Sequence, residues 1–99
     1  MDNILSIMFQ KLPTEVIQDI ATKARELRKS KKLSQEELAQ KSGVSFGSIK
    51  RFETTGKISL ESLLKIAFVL DAMTDFEKLF MQKERPMSLD EIIKSQNKR

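Results

Sequence analysis

A chain of 99 residues with no cysteine and no histidine lacks most of the groups that do covalent or metal chemistry. Disulfides, the usual zinc sites and every nucleophile–base pair built on thiol or imidazole are excluded. Carboxylates remain, but Glu36-Glu37 and Asp90-Glu91 are adjacent in sequence. Neighbouring residues point to different sides of a helix, and acids in such places favour helix starts. No catalytic residue, metal ligand or cofactor site is therefore expected, and the chain reads as a non-enzyme. What stands out is cationic chemistry. Lysine and arginine number 18 against 14 acids, a net charge of +4. Residues 23–57 hold ten bases (Lys23, Arg25, Arg28, Lys29, Lys31, Lys32, Lys41, Lys50, Arg51 and Lys57) against four acids, a net +6. Residues 1–22 and 58–81 carry −2 each, and residues 82–99 carry +2. A basic block of this kind suits a polyanionic partner, although it also reads as a solvated surface.

The elements that must position these cations are helical. A hydrophobic share of 39% and a charged share of 32% describe one small globular domain. No apolar run approaches the roughly 18 residues of a membrane helix, and Asp2 stands where a secretory signal carries a base. A cytoplasmic location without membrane attachment is expected. Between Pro13 and Pro86 the apolar spacing is helical throughout. A first helix is predicted from near Thr14 to about Lys31, with Val16, Ile17, Ile20, Ala24 and Leu27 inward. Ser34-Gln35-Glu36-Glu37 is a capping box, opening a helix that holds Leu38 and Ala39 inward and stops at Gly43. Ser45 caps the next helix, with Ile49 and Phe52 inward and Gly56 at its end. Ser59 caps a fourth, whose Leu60, Leu63, Leu64, Ala67 and Leu70 share a face. Thr74-Asp75-Phe76-Glu77 is a second capping box, opening a short helix with Phe76, Leu79 and Phe80. The fold class is all-α, five short helices round one core.

Terminal arms flank this body. Residues 1–13 place Ile4, Leu5, Met8, Phe9 and Leu12 at helical spacing. In residues 82–99 a third capping box, Ser88-Leu89-Asp90-Glu91, precedes a helix of about two turns at most. So short a helix is marginal in water, and the tail is expected to order only against the body or a partner.

The connection Gly43-Val44 between the second and third helices is too short for a loose antiparallel pair, so the two must cross steeply. Ala39 then lies where they approach most closely, and Leu38, Val44, Ile49 and Phe52 plug the crossing. Ser45, Phe46, Gly47, Lys50 and Arg51 are left outward on the third helix. Such a helix can enter a DNA major groove and present side chains to base edges.

Arg28, Leu33-Ser34-Gln35, Leu38-Ala39, Gly43-Val44-Ser45, Ile49, Glu53 and Gly56 together resemble the Cro/C1-type (XRE) helix-turn-helix family over residues 14–81, with the motif at 34–54. The resemblance implies a lambda-repressor-like five-helix DNA-binding bundle. It implies a buried ion pair between Arg28 and Glu53, a structural tie because a buried charge is tolerable only when paired. It also implies that Gln35 bonds a backbone phosphate and buttresses the recognition helix, that Ser45 meets phosphate as well as capping, and that Arg51 reaches base edges. Phe46, Gly47 and Lys50 complete the expected base-contacting set. Lys32, Ser48 and Lys57 complete the phosphate-contacting set, though each lysine alone also reads as a solvated charge. Phe46 and Gly47 depart from the polar residues common at these positions. Phe46 suits a thymine methyl, or folds back on Gln35 or a partner surface. Gly47 suits close approach to DNA or to the neighbouring helix. The ending Glu53-Thr54-Thr55-Gly56 is one residue longer than the family's common form.

Residues 47–53, Thr55-Gly56-Lys57-Ile58-Ser59-Leu60, Ser62-Leu63-Leu64, Phe76 and Leu79-Phe80 also look like the small HipB-type regulators that accompany HipA-like kinase toxins. That narrower resemblance implies an antitoxin that represses its own toxin–antitoxin operon as a homodimer on a palindromic double-stranded DNA operator, associated with the nucleoid when bound. A stand-alone Cro/C1-type regulator and a protein-interaction module for toxin neutralisation are the alternatives. For the dimer, the Ile4/Leu5/Met8/Phe9 stripe and the Phe68, Val69, Met73 and Phe76 neighbourhood are the candidate surfaces, unless each serves its own core.

Overall fold

The computed structural model describes residues 7–82 and Ile93. Five helices lie wholly within them, with no strand: α1 (Pro13–Ser30), α2 (Gln35–Ser42), α3 (Phe46–Thr55), α4 (Leu60–Val69) and α5 (Met73–Glu77). Each boundary has a local cause. Pro13 opens α1 at a position whose amide has no intrahelical partner. Glu15 reaches back to accept from the Leu12 amide at 2.8 Å; leucine offers no side-chain acceptor, so only that arm of a capping box forms. At α2 both arms form, with Ser34 Oγ accepting from the Glu37 amide at 3.0 Å and Glu37 Oε1 accepting from the Ser34 amide at 2.8 Å. Ser45 and Ser59 accept in the same way from the Ser48 and Ser62 amides, each at 3.1 Å.

The predicted box at Thr74 does not form. Helix α5 begins two residues earlier, behind Ala72, with no side-chain cap. The turn that ends α4 leads straight into it: Asp71 sits at φ 61°, and the Ala72 amide donates to the Ala67 carbonyl at 2.8 Å. Because α5 stops at Glu77, it does not carry Leu79 and Phe80 inward, and both are exposed.

Leu38, Val44, Ile49 and Phe52 are buried together as predicted, and Ala21, Ile66 and Leu70 complete the core. Helix α1 packs on α3, α2 on both α3 and α4, and α4 on α5. Two inward faces are rotated from expectation. On α1, Val16 and Ile17 are exposed and Ala21 is fully buried. On α4, Leu60 is exposed, and the inward row is Leu63, Ile66, Ala67 and Leu70. On α1, close approach of a neighbouring helix favours the small Ala21 at the contact. On α4, Leu60 stands at the first helical position, ahead of the row that meets the core, and Ile66 joins that row.

Ile7, Met8, Phe9 and Leu12 are exposed, so this part of the N-terminal stripe does not cover the chain's own core. Ile4 and Leu5 lie outside the described residues, as does the predicted tail helix except for Ile93, which is helical.

Two glycines end helices in the left-handed region, Gly43 at φ 79° and Gly56 at φ 81°. A methyl group at Gly43 meets nothing within 4 Å, whereas one at Gly56 collides with Cγ2 of Ile17 and lies 3.3 Å from the Ile17 carbonyl oxygen. That Cγ2 sits directly on a β-branched carbon and has little freedom to move. Gly43→Ala is expected to cost about 1 kcal/mol of unfolding free energy, the left-handed penalty alone. Gly56→Ala should cost about 2 kcal/mol or more, since the collision adds to it. Denaturant unfolding of the two variants measures the difference.

Candidate nucleic-acid interface

Helix α3 lies across the body with one face sunk and the other bare. Ile49 and Phe52 anchor it in the core, while Ser45, Phe46, Gly47, Ser48, Lys50 and Arg51 are exposed. An N-cap serine and a C-terminal glycine hold its ends. The predicted base-contacting set, Phe46, Gly47, Lys50 and Arg51, is thus brought together on one exposed helix. Lys50 Nζ lies 5.2 Å from the Phe46 ring centroid, within cation–π range. Phe46 therefore lies beneath Lys50, with no fold-back on Gln35 needed to explain it. Gly47 faces open space, so its small size does not serve contact with a neighbouring helix.

The longer ending of α3 has a structural use. Thr54 Oγ1 donates to the Lys50 carbonyl at 2.9 Å and Thr55 Oγ1 to the Arg51 carbonyl at 2.7 Å. Each hydroxyl bonds back to the carbonyl four residues earlier, which already accepts that threonine's amide within the helix, so the two side chains lie along α3. Thr55 Oγ1 also accepts from the Lys57 amide at 3.1 Å, fixing where exposed Lys57 leaves the helix. Lys32 is exposed on the turn before α2 at φ 59°. Its amide donates to the Lys29 carbonyl at 2.9 Å. Ser45 Oγ donates to Ser48 Oγ at 2.8 Å, linking two predicted phosphate contacts into one hydroxyl pair.

Beneath this surface the Arg28–Glu53 ion pair is present and bidentate. Arg28 Nε donates to Glu53 Oε2 at 2.8 Å and Arg28 Nη2 to Glu53 Oε1 at 3.0 Å. Their side chains are 8% and 4% exposed. Arg28 Nη1 donates to the Leu33 carbonyl at 2.7 Å, tying the turn before α2 to the same point. Gln35 Nε2 donates to Glu53 Oε1 at 2.8 Å, which makes Gln35 a buttress of α3. An amide nitrogen has two hydrogens, so one is left for an outside acceptor. Arg25 approaches Glu53 Oε1 at 4.0 Å.

Burial pushes the Glu53 carboxyl upward, but the bonds from Arg28 and Gln35 and the charges of Arg28 and Arg25 outweigh it and hold its pKa below the ordinary value of 4.5. Glu37 is also held low, first by its backbone bond from Ser34. A carboxyl lowered on folding contributes stability that is present above its unfolded pKa and lost as pH falls through the folded one. Stability is therefore expected to decline on acidification below about pH 4.5. Glu53→Gln should flatten that decline in unfolding curves measured from pH 7 to pH 2.

An exposed helix held by two short connections on an all-α body defines a helix-turn-helix domain. In agreement, residues 25–72, just under half of the chain, match the family model described as Helix-turn-helix. The fold is a Cro/C1-like helical bundle, and the match supports a DNA-binding regulator of transcription. No curated protein and no solved structure matches the chain. Among the described residues, no helix is long and apolar enough to cross a membrane.

Arg25 and the Leu33 carbonyl were not legible as parts of the Glu53 network. Arg25 carries a partial signal, since it precedes Arg28 by three residues on the same helix. The carbonyl carries none.

Proposed function

We propose that the chain is a sequence-specific repressor that binds double-stranded DNA with α3 in the major groove. The observation that carries this reading is the bare face of α3, with Lys50 and Arg51 exposed inside the +6 block of residues 23–57. In this reading Phe46, Gly47, Lys50 and Arg51 meet base edges, and Lys32, Gln35, Ser45, Ser48 and Lys57 meet phosphates. One module alone makes a small interface and binds weakly. A homodimer on a palindromic operator in its own promoter places two copies of α3 roughly 34 Å apart, one DNA turn.

The test is binding to the duplex upstream of its own gene across a salt series. Affinity should fall steeply and linearly on a log–log plot, as expected when lysines and arginines displace counterions. A flat response, or equal binding to unrelated duplexes, overturns the reading.

The antitoxin role rests on the resemblance to HipB-type regulators. In it the chain neutralises a HipA-like kinase toxin through surfaces away from α3, and exposed Phe68 on α4 is apolar surface open to such a partner. Co-expression with the neighbouring gene product should give co-purification and rescue of growth. Absence of both leaves a stand-alone regulator.

A further inference from the structure

An apolar cavity of about 320 Å³ opens between α1, α4 and α5, with no residue of α3 in its wall. Ile20, Ala24 and Leu27 form its α1 side, faced by Leu63 of α4 and by Phe76 and Leu79 at the α5 end. The apolar surface does not stop where the cavity does. Val16 stands four residues before Ile20 on the same face of α1, and Leu12, the N-cap residue, stands four before that. Both are exposed, as are Met8 and Phe9 just upstream. One apolar row thus runs from Leu12 to Leu27, roughly 22 Å at 1.5 Å per residue. The cavity takes in only its second half. Apolar patches of this extent mark interaction surfaces on soluble proteins.

Building on the homodimer put forward above, we propose that this row is the interface between two copies of the chain, their α1 helices packed antiparallel about a two-fold axis. Length is the first ground. An occupant as short as the cavity leaves Leu12 and Val16 bare, whereas a helix as long as α1 covers the row from end to end. Charge is the second. Asp19 and Lys23 stand one turn apart on the flank of the row, and Lys23 also borders the cavity. A two-fold axis crossing α1 midway between them sets Lys23 of each copy opposite Asp19 of the other, so two complementary pairs form at once. A parallel pair of helices sets like charges together instead. Lys11 donates to Oδ2 of Asp19 at 2.6 Å, which leaves Oδ1 for a second cation. Shape is the third ground. The same register brings Val16 of one copy against Ala24 and Leu27 of the other, where the small Ala24 leaves room. Met8, Phe9, Leu12 and Val16 contribute large exposed side chains toward the area of about 800 Å² per partner that stable dimers bury.

Sedimentation of the full chain at micromolar concentration, without DNA, should give twice the chain mass. Val16→Asp should raise the dissociation constant of the dimer roughly 100-fold or more, since it buries two unpaired carboxylates. Phe68→Asp, at an exposed apolar residue of α4, should leave it unchanged. A charge reversal tests the register and does not depend on how Val16→Asp folds. Lys23→Asp and Asp19→Lys chains should each associate more weakly alone, and mixing them should restore a dimer holding one of each. A monomeric full chain overturns the proposal. So does a dimer that Val16→Asp leaves intact, one that Phe68→Asp disrupts, or a mixture with no preference for the heterodimer. A monomer that keeps salt-dependent operator binding overturns the interface alone, so the two readings fail separately.

Discussion

Replacing Glu53 with alanine is expected to destabilise the fold by about 3–5 kcal/mol, the range seen when one partner of a buried ion pair is removed. Arg28, 6% exposed, keeps only the Leu33 carbonyl, and its Nε and Nη2 donors face a space that water does not fill freely. Gln35 loses its acceptor in the same step. For a small domain of ordinary stability this removes a third or more of the total. Urea unfolding at pH 7 measures it, and a change under 1 kcal/mol would show that the pair is not structural. Replacing both Arg28 and Glu53 with methionine should recover much of the loss, because the main penalty lies in the uncompensated charge and not in the missing attraction.

Arg51→Ala should leave the fold intact and change what the protein reads. Arg51 is exposed on α3, and no hydrogen bond or ion pair within the described residues holds its guanidinium. A bidentate arginine–guanine contact discriminates by about 1–3 kcal/mol, or roughly 5- to 150-fold in relative affinity. That preference should vanish at one base pair per half-site in a binding-site selection. Lys57→Ala should instead weaken all sequences alike and make the salt slope shallower by about one. If the two variants behave identically, α3 does not read bases through Arg51.

Much of this architecture was visible from local chemistry. Ser34, Ser45 and Ser59 cap helices where the sequence placed them, and Gly43 and Gly56 end helices in the left-handed region. These signals act within a few residues, which is why a sequence reveals them. The rotated faces of α1 and α4 are different, because Ala21 and Ile66 are selected by the helix opposite them and local spacing does not name that helix. The missing cap at Thr74 follows the same logic, since the end of α4 dictates the start of α5. At the candidate interface, the exposure of Lys50 and Arg51 was legible from helical spacing, whereas the Arg28–Glu53 pair, 25 residues apart in sequence, came only from the family resemblance. The hydroxyl bonds of Thr54 and Thr55 were not legible, although the extra residue marked the place.

The stacking of Lys50 on Phe46 has a consequence for how an operator is decoded. An ammonium group and a ring that share one position cannot choose their neighbours separately. If both touch the duplex, a base change beneath the ring shifts where the ammonium rests, and preferences at adjacent base pairs become correlated. A matrix that scores each column of a binding site on its own will then misrank operators for this protein, and a dinucleotide description will be needed.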